Sequence, residues 1–111
     1  MILDTSGLFA LLRAGDPDGS AVLEAMALAL PVVATDVGDV AAMLAPENRE
    51  LLARAGDEAG LAAALRRAGE DAGLRARLGA ANLEVARLRF PASRMVAAFG
   101  ALYARLARRS R

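Results

Sequence analysis

One acidic residue stands alone in the most apolar part of the chain. Glu24 is the only charged residue between Ala21 and Ala34, and its thirteen neighbours in that segment are all apolar. A helix that is apolar on nearly all sides is buried, and a buried carboxylate is costly without hydrogen bonds or a cation. The pattern therefore predicts that Glu24 binds a ligand. The alternative is an ordinary glutamate on a narrow exposed strip.

The segment before Glu24 has the composition of a loop that could meet a phosphate group. Residues 14–20 are rich in glycine and aspartate and include a proline, which is typical of a turn, and a helix to about Leu30 is expected to follow. Free N–H groups at Gly19 and Ser20, together with the helix dipole, suit a phosphate. Glu24 would then lie about one turn inside the helix, within reach of a sugar hydroxyl attached to that phosphate.

The residue types that are missing narrow the chemistry. The chain of 111 residues contains no cysteine, histidine or lysine, so all 14 of its cations are arginine. This excludes thiolate and imidazole catalysis, a cysteine or histidine metal site and a lysine Schiff base. Any reaction must use carboxylates, hydroxyls, arginine, backbone amides or a bound ion.

Neither a membrane span nor a secretion signal is predicted. The longest apolar stretch, residues 25–34, is interrupted by Pro31 and is too short to cross a bilayer. Asp4 stands where a signal peptide needs a cation. We therefore expect a cytoplasmic protein.

The net charge of +1 hides an asymmetry along the chain. Residues 1–48 hold one arginine and seven acids, whereas residues 49–111 hold thirteen arginines and six acids, none of them after Glu84. A basic C-terminal half invites a nucleic-acid interpretation. However, no aromatic row interleaves the arginines, as single-strand binding would need, so we expect them on the solvated faces of amphipathic helices.

The order of elements predicts an α/β domain, a partial Rossmann-like fold with short parallel strands. Residues 2–3 are a possible strand stub, residues 32–35 are the best strand candidate and residues 50–53 could form another strand. Residues 7–13 fit a helix or a buried strand equally.

The rest of the chain is expected to be helical. Pro91 should start the last helix. Three apolar stripes at helical spacing predict the inner faces: Leu61, Ala64, Leu65 and Ala68; Leu74, Leu78, Ala81, Val85 and Leu88; Met95, Phe99, Leu102 and Leu106. The chain is thus expected to be one truncated domain, with an atypical segment (1–15), a ligand-site region (16–56) and C-terminal helices (57–111).

Several segments resemble one enzyme family. Residues 23–27 and 30–38 are similar to the signature of retaining, nucleotide-sugar-dependent glycosyltransferases of group 1. Later segments resemble the family in the right order, namely residues 56–57, 61–65, 74–81, 90, 94–96 and 102–103. The resemblance covers about residues 16–111. It implies a two-domain, B-type fold with a donor-sugar cleft, of which this chain is the C-terminal half.

That resemblance also implies a set of site residues. Glu24 matches the carboxylate that holds the ribose, and Asp16, eight positions earlier, matches the catalytic acid near the donor sugar. Gly19 matches a glycine beside the donor, and Ser20 and Ala21 match backbone amides that meet the diphosphate. The implied reaction transfers a hexose from a nucleoside diphosphate with retention and needs neither a cofactor nor a metal at the donor.

The chain departs from the family pattern at several points. The family often has a glycine pair and a later glutamate after the threonine strand, where this chain has Gly38 and Asp39 without that glutamate. Pro17 follows Asp16 where glycine is usual, and Ala29 stands where glycine is common. The acceptor-binding domain and the cation pair that neutralises the diphosphate have no counterpart. We therefore expect the chain alone to be inactive in transfer, and a missing N-terminal domain or self-association to supply its partner surface.

The first dozen residues resemble a different family, the PIN-domain ribonucleases. In that alternative Asp4 would bind a metal ion and Asp39 could be a second ligand. Such a nuclease needs several acids around Mg²⁺ or Mn²⁺, and the lack of acids after Glu84 counts against it. A further alternative is a non-catalytic interaction protein whose apolar helical stripes are left open.

Overall fold

A computed structural model describes residues 2–3, 9–12, 20–36 and 39–109. Within these residues the chain alternates short strands with helices and ends in three longer helices. The elements are β1 (Ile2–Leu3), β2 (Ala10–Leu12), α1 (Ser20–Ala27), β3 (Val32–Asp36), α2 (Val40–Met43), a 3₁₀ helix (Pro46–Leu51), β4 (Leu52–Arg54), α3 (Glu58–Glu70), α4 (Ala72–Arg89) and α5 (Ala92–Arg109).

The four strands form one sheet in the order β1-β2-β3-β4. β2 pairs parallel with β3, and β3 pairs parallel with β4. β1 instead pairs antiparallel with β2, with Ile2 opposite Leu11. The prediction of parallel strands is therefore wrong for β1. Six residues connect β1 to β2, and a parallel connection needs a crossover of about a dozen or more.

Helices cover both faces of the sheet, and β3 shows the division most clearly. Val32 and Ala34 belong to a core on the side of α1, whereas Val33 belongs to a second core with residues of α3 and α4. A parallel strand with helices on both faces is buried on both faces and therefore needs consecutive apolar residues. The α/β, Rossmann-like class is confirmed.

Aspartate side chains set the start of the two helices that follow β4. Asp57 Oδ1 accepts a hydrogen bond from the Gly60 N–H at 2.8 Å, and Asp71 Oδ1 accepts one from the Leu74 N–H at 2.9 Å. Each bond satisfies an N–H group that has no partner inside its helix. α5 begins directly after Pro91, whose carbonyl accepts the Met95 N–H at 3.2 Å.

The predicted boundaries change in two places around the sheet: α1 ends at Ala27 instead of near Leu30, and the strand expected at residues 50–53 begins later. Residues 50–53 were expected to be a strand, but the 3₁₀ helix occupies them up to Leu51 and β4 begins at Leu52. Pro46 opens that helix because its fixed φ suits a first helical position. Within the segment 7–13, the described residues favour the strand interpretation, since Ala10–Leu12 forms β2.

The predicted inner faces are right for α3 and only partly right for α4 and α5. In α3, Ala64 and Ala68 are buried. In α4 the buried line runs from Leu74 and Leu78 through Gly79, Asn82 and Ala86, so Leu88, which is 78% exposed, was wrongly assigned. In α5, Ala98 is buried while Phe99 is 45% exposed, which corrects the assignment of Phe99 as well.

The turn after α1 has a conformation that favours glycine. Ala29 has φ +56°, in the left-handed region. The Leu30 N–H donates to the Ala25 carbonyl at 3.1 Å and the Ala29 N–H donates to the Met26 carbonyl at 3.0 Å, which is the Schellman arrangement that usually ends in glycine. The structure thus gives a reason why glycine would suit position 29 better than alanine.

Ala29→Gly is expected to stabilise the protein, because a left-handed alanine costs roughly 1–2 kcal/mol that glycine does not. We expect the free energy of unfolding in urea to rise by about 1 kcal/mol, after part of the gain is lost to the greater freedom of glycine in the unfolded chain. Ala63→Gly, at an exposed position inside α3, is the matched control and should lower it by about 1 kcal/mol. A loss of stability in Ala29→Gly would contradict this account of the turn.

Candidate functional site

Glu24 is buried in the middle of α1. Its exposed fraction is 5%, and Leu23, Ala25 and Met26 beside it are buried as well. α1 is enclosed because it packs against β2 and β3 on one side and against α4 and α5 on the other. The alternative of an exposed surface glutamate is therefore wrong. A ligand-binding role for Glu24 stays a prediction.

The parallel strands define the edge of the sheet at which α1 begins. The chain leaves β2 at its carboxyl end, passes through α1 and re-enters the sheet at the amino end of β3. The first turn of α1 therefore lies towards the carboxyl edge of the strands. In open α/β sheets this edge forms the ligand crevice.

Three of the five predicted site residues lie on α1. Ser20 and Ala21 are its first two residues, so their backbone N–H groups are among the first four, which have no acceptor within the helix. Glu24 follows Ser20 by four residues, or about 6 Å along the helix axis. Asp16 and Gly19 lie outside the described residues, so their position relative to Glu24 stays a prediction.

The ends of β3 and β4 add two charges of opposite sign to this edge. Asp36 ends β3 and Arg54 ends β4, and the two are partners in the parallel register. Both residues are exposed, while Thr35 is half-buried. The carboxyl edge therefore exposes a carboxylate and a guanidinium to solvent. β3, which carries the carboxylate, lies next to β2, the strand that precedes α1.

The residues named for a nuclease site are not brought together in the described part of the chain. Asp39 is exposed and directly precedes α2, and Asp4 lies outside the described residues. Among residues 2–3, 9–12, 20–36 and 39–109, no group of three or more acidic side chains could hold a metal ion.

Two buried asparagines that the sequence reasoning missed hold β3 in place. Asn48 Oδ1 accepts the Val32 N–H at 2.9 Å, and Asn48 Nδ2 donates to the Val32 carbonyl at 2.8 Å. Asn82 Nδ2 donates to the Leu30 carbonyl at 3.0 Å and to Asn48 Oδ1 at 2.9 Å, and Asn82 Oδ1 accepts the Ala45 N–H at 3.0 Å. The signal was the position of Asn82, four residues after Leu78 on the buried line of α4.

Parallel strands that are covered by helices on both faces, with a helix that begins at their carboxyl edge, define an α/β domain of the doubly wound class. Within that class, a family model described as glycosyl transferases group 1 matches residues 2–71, which is more than half of the chain. The chain belongs to the group 1 glycosyltransferase family. No match was found among curated proteins or among solved structures.

The matched range includes all five predicted site residues and also the first strand. It begins at residue 2, earlier than the resemblance from residue 16 onwards, and so it includes the segment that resembles the start of a PIN domain. It ends at residue 71, between α3 and α4. The similarity of α4 and α5 to the family's last helices stays a prediction.

None of the helices in the described part of the chain is both long enough and apolar enough to cross a bilayer.

Proposed function

We propose that this chain binds the donor of a retaining glycosyltransferase, a nucleoside diphosphate sugar, at the carboxyl edge of its sheet. The observation that carries the proposal is the burial of Glu24, a carboxylate four residues inside a helix whose first turn faces that edge. The family membership supports it, because the matched range spans this helix and the residues before it.

The proposed contacts follow from the chemistry of the two ends of the ligand. The diphosphate would accept hydrogen bonds from the Ser20 and Ala21 N–H groups, where the dipole of α1 also favours negative charge. An ionised carboxylate only accepts hydrogen bonds and has two oxygens, so Glu24 would accept from hydroxyls of the ribose. Burial strengthens such bonds because the local dielectric constant is low.

Two further residues complete the proposed site around the hexose. Gly19 would let the donor approach the backbone closely, since it lacks a Cβ, and Asp16 would lie beside the sugar. In the transfer, the bond between the anomeric carbon and the diphosphate oxygen breaks, and its electron pair leaves with the diphosphate. A new bond forms from the anomeric carbon to the acceptor oxygen on the same face of the sugar, and the acceptor's proton passes to the leaving diphosphate oxygen.

The role of this chain in that reaction is to hold the leaving group. Groups that stabilise developing charge contribute most to such catalysis, and here the α1 amides would do so, with the exposed Arg54 at the same edge. We expect little transfer by the chain alone, because the acceptor also has to be held beside the anomeric carbon, on the face that the diphosphate leaves.

Calorimetric titration with UDP-, GDP- and ADP-glucose tests the proposal. We expect one of these donors to bind, and Glu24→Gln to weaken its binding about 10- to 100-fold, because a hydrogen bond to a charged group contributes roughly 1.5–3 kcal/mol. The matched control is Glu84→Gln, which changes an exposed glutamate on α4 and should bind as the unchanged protein does. Thermal unfolding of each variant shows whether its fold is retained. No heat with any donor, or a Glu24→Gln variant that binds normally, would remove the proposal.

A further inference from the structure

A groove between α4, α5 and the end of α1 leaves apolar side chains accessible. Its volume is about 330 Å³, and its walls include Leu83, Phe90, Met95, Val96 and Phe99. This volume is at the lower end of the roughly 300–1,000 Å³ of pockets that hold small ligands, which is enough for a few side chains of a partner. The groove lies apart from the first turn of α1, so an inference from it does not rest on donor binding.

An apolar stripe on α5 extends the groove along the helix. Val96 and Tyr103 are 72% and 64% exposed, and together with Phe99 they follow the spacing of three and four residues that places side chains on one helix face. The rings of Phe99 and Tyr103 stack with their centroids 6.3 Å apart. This stripe runs for about 10 Å. Contiguous exposed apolar surface of this kind marks interaction sites.

Two arginines border the groove. Arg87 lines it, and the Arg94 guanidinium lies 5.1 Å from the centroid of the Phe90 ring. Residues 85–111 contain seven arginines and no acid, and Glu84, the last acid of the chain, is not among the lining residues. A second copy would bring the same arginines to the interface, whereas a partner with acidic residues would complement them.

The shape of the groove indicates what kind of acidic partner could bind there. Its lining comes from three helices, with Ala27 from α1, Leu83 and Arg87 from α4, and Met95 and Phe99 from α5. Such a concave surface receives a convex ridge of side chains, as in the docking of an amphipathic helix into a groove. The side chains along one face of a helix can therefore enter the groove.

We propose that the α4–α5 groove binds an amphipathic helix whose apolar ridge is flanked by aspartate or glutamate. The apolar ridge fills the groove between Phe90 and Phe99 and continues along Val96 and Tyr103. The flanking carboxylates meet the arginines, of which Arg87 lines the groove. The partner is thus recognised by its pattern of apolar and acidic residues.

The test uses a synthetic, fluorescently labelled helical peptide with leucines at positions i, i+3 and i+7 and glutamates on both flanks, followed by anisotropy. We expect it to bind the intact chain at least about tenfold more tightly than the same peptide with lysine flanks. Phe99→Ser should weaken binding by about tenfold or more. The matched control, Leu88→Ser, changes an exposed apolar residue of α4 that does not line the groove and should leave binding unchanged.

Other outcomes would overturn the proposal. Equal binding of the glutamate and lysine peptides, equal binding by Phe99→Ser, or no binding would each do so. Sedimentation of the chain with phosphatidylglycerol vesicles but not phosphatidylcholine vesicles, lost in Phe99→Ser and without peptide binding, would assign the groove to a membrane surface. A dimer in analytical ultracentrifugation that Phe99→Ser dissociates would assign it to self-association.

Discussion

Asn48→Leu is expected to lower the free energy of unfolding by about 4 kcal/mol, because a buried donor or acceptor that loses its partner costs roughly 1–3 kcal/mol. Asn48 makes two hydrogen bonds with the backbone of Val32 and accepts one from Asn82. Leucine has a similar size and can make none of them. The variant would leave the Val32 N–H and carbonyl buried without these bonds at the first residue of β3.

Urea unfolding followed by circular dichroism measures this effect. Glu47→Leu is the matched control, since Glu47 is the exposed neighbour in the same 3₁₀ helix and surface changes usually stay within about 0.5 kcal/mol. Asn82→Leu and the double variant complete a cycle, in which the two effects should not add because the side chains share a hydrogen bond. A loss below about 1 kcal/mol in Asn48→Leu would show that this network does not hold β3.

Gly79→Ala is expected to be the most disruptive single-methyl change in the described part of the chain. A Cβ on Gly79 would overlap the carbonyl oxygen of Ala29 and approach its carbonyl carbon to 2.8 Å. Both are backbone atoms of the turn that joins α1 to β3, so neither can rotate away. Overpacking of this kind costs about 1–3 kcal/mol and occasionally more, and we expect a value at the upper end because α4 must shift away from α1.

Gly69→Ala is the matched control for that change. Gly69 is an exposed residue of α3, and a Cβ there would meet nothing within 4 Å. The same substitution should therefore stabilise the protein by up to about 1 kcal/mol through helix propensity. Opposite signs for the two variants in urea unfolding are the expected result. A Gly79→Ala variant as stable as the unchanged protein would show that α4 and the turn at Ala29 are not in close contact.

The parts of the fold that follow from local sequence were predicted well. The apolar, β-branched segment after Pro31 is β3, and the apolar segment around Glu24 is a buried helix. Both depend on the types of immediate neighbours, which a sequence displays directly. The same applies to the inner face of α3, where Ala64 and Ala68 repeat at helical spacing.

The errors arise where the decisive contact is distant along the chain. The spacing of apolar residues predicted Leu88 as an inner residue, but the line that meets α1 contains Gly79 and Asn82. Their partners are the carbonyls of Ala29 and Leu30, about 50 positions earlier. Gly79 is buried because the backbone of Ala29 approaches it closely, and Asn82 is buried because the carbonyl of Leu30 needs a hydrogen-bond donor. The spacing of hydrophobic residues predicts neither contact.

The candidate site, like the fold, could be predicted from the sequence only in part. The burial of Glu24 followed from its own surroundings, whereas the roles of Asp16 and Gly19 were assigned by family resemblance alone. The exposed charges of Asp36 and Arg54 become neighbours only through the register of β3 with β4. Paired residues of these two strands are 18 positions apart, with a helix and a 3₁₀ helix between the strands. The sequence of either strand alone therefore does not predict the pairing.

Nuclear magnetic resonance of the ¹⁵N-labelled chain tests the central claim most directly, because it locates the bound donor residue by residue. On addition of the nucleoside diphosphate sugar that binds in calorimetry, we expect the largest amide shifts at Ser20 and Ala21, with further shifts at Glu24 and at Thr35 and Asp36. The shifts of Ser20 and Ala21 should be much smaller in Glu24→Gln at the same donor concentration. Shifts confined to α4 and α5, or none in α1 at saturating donor, would contradict the assignment of this edge of the sheet as a donor site.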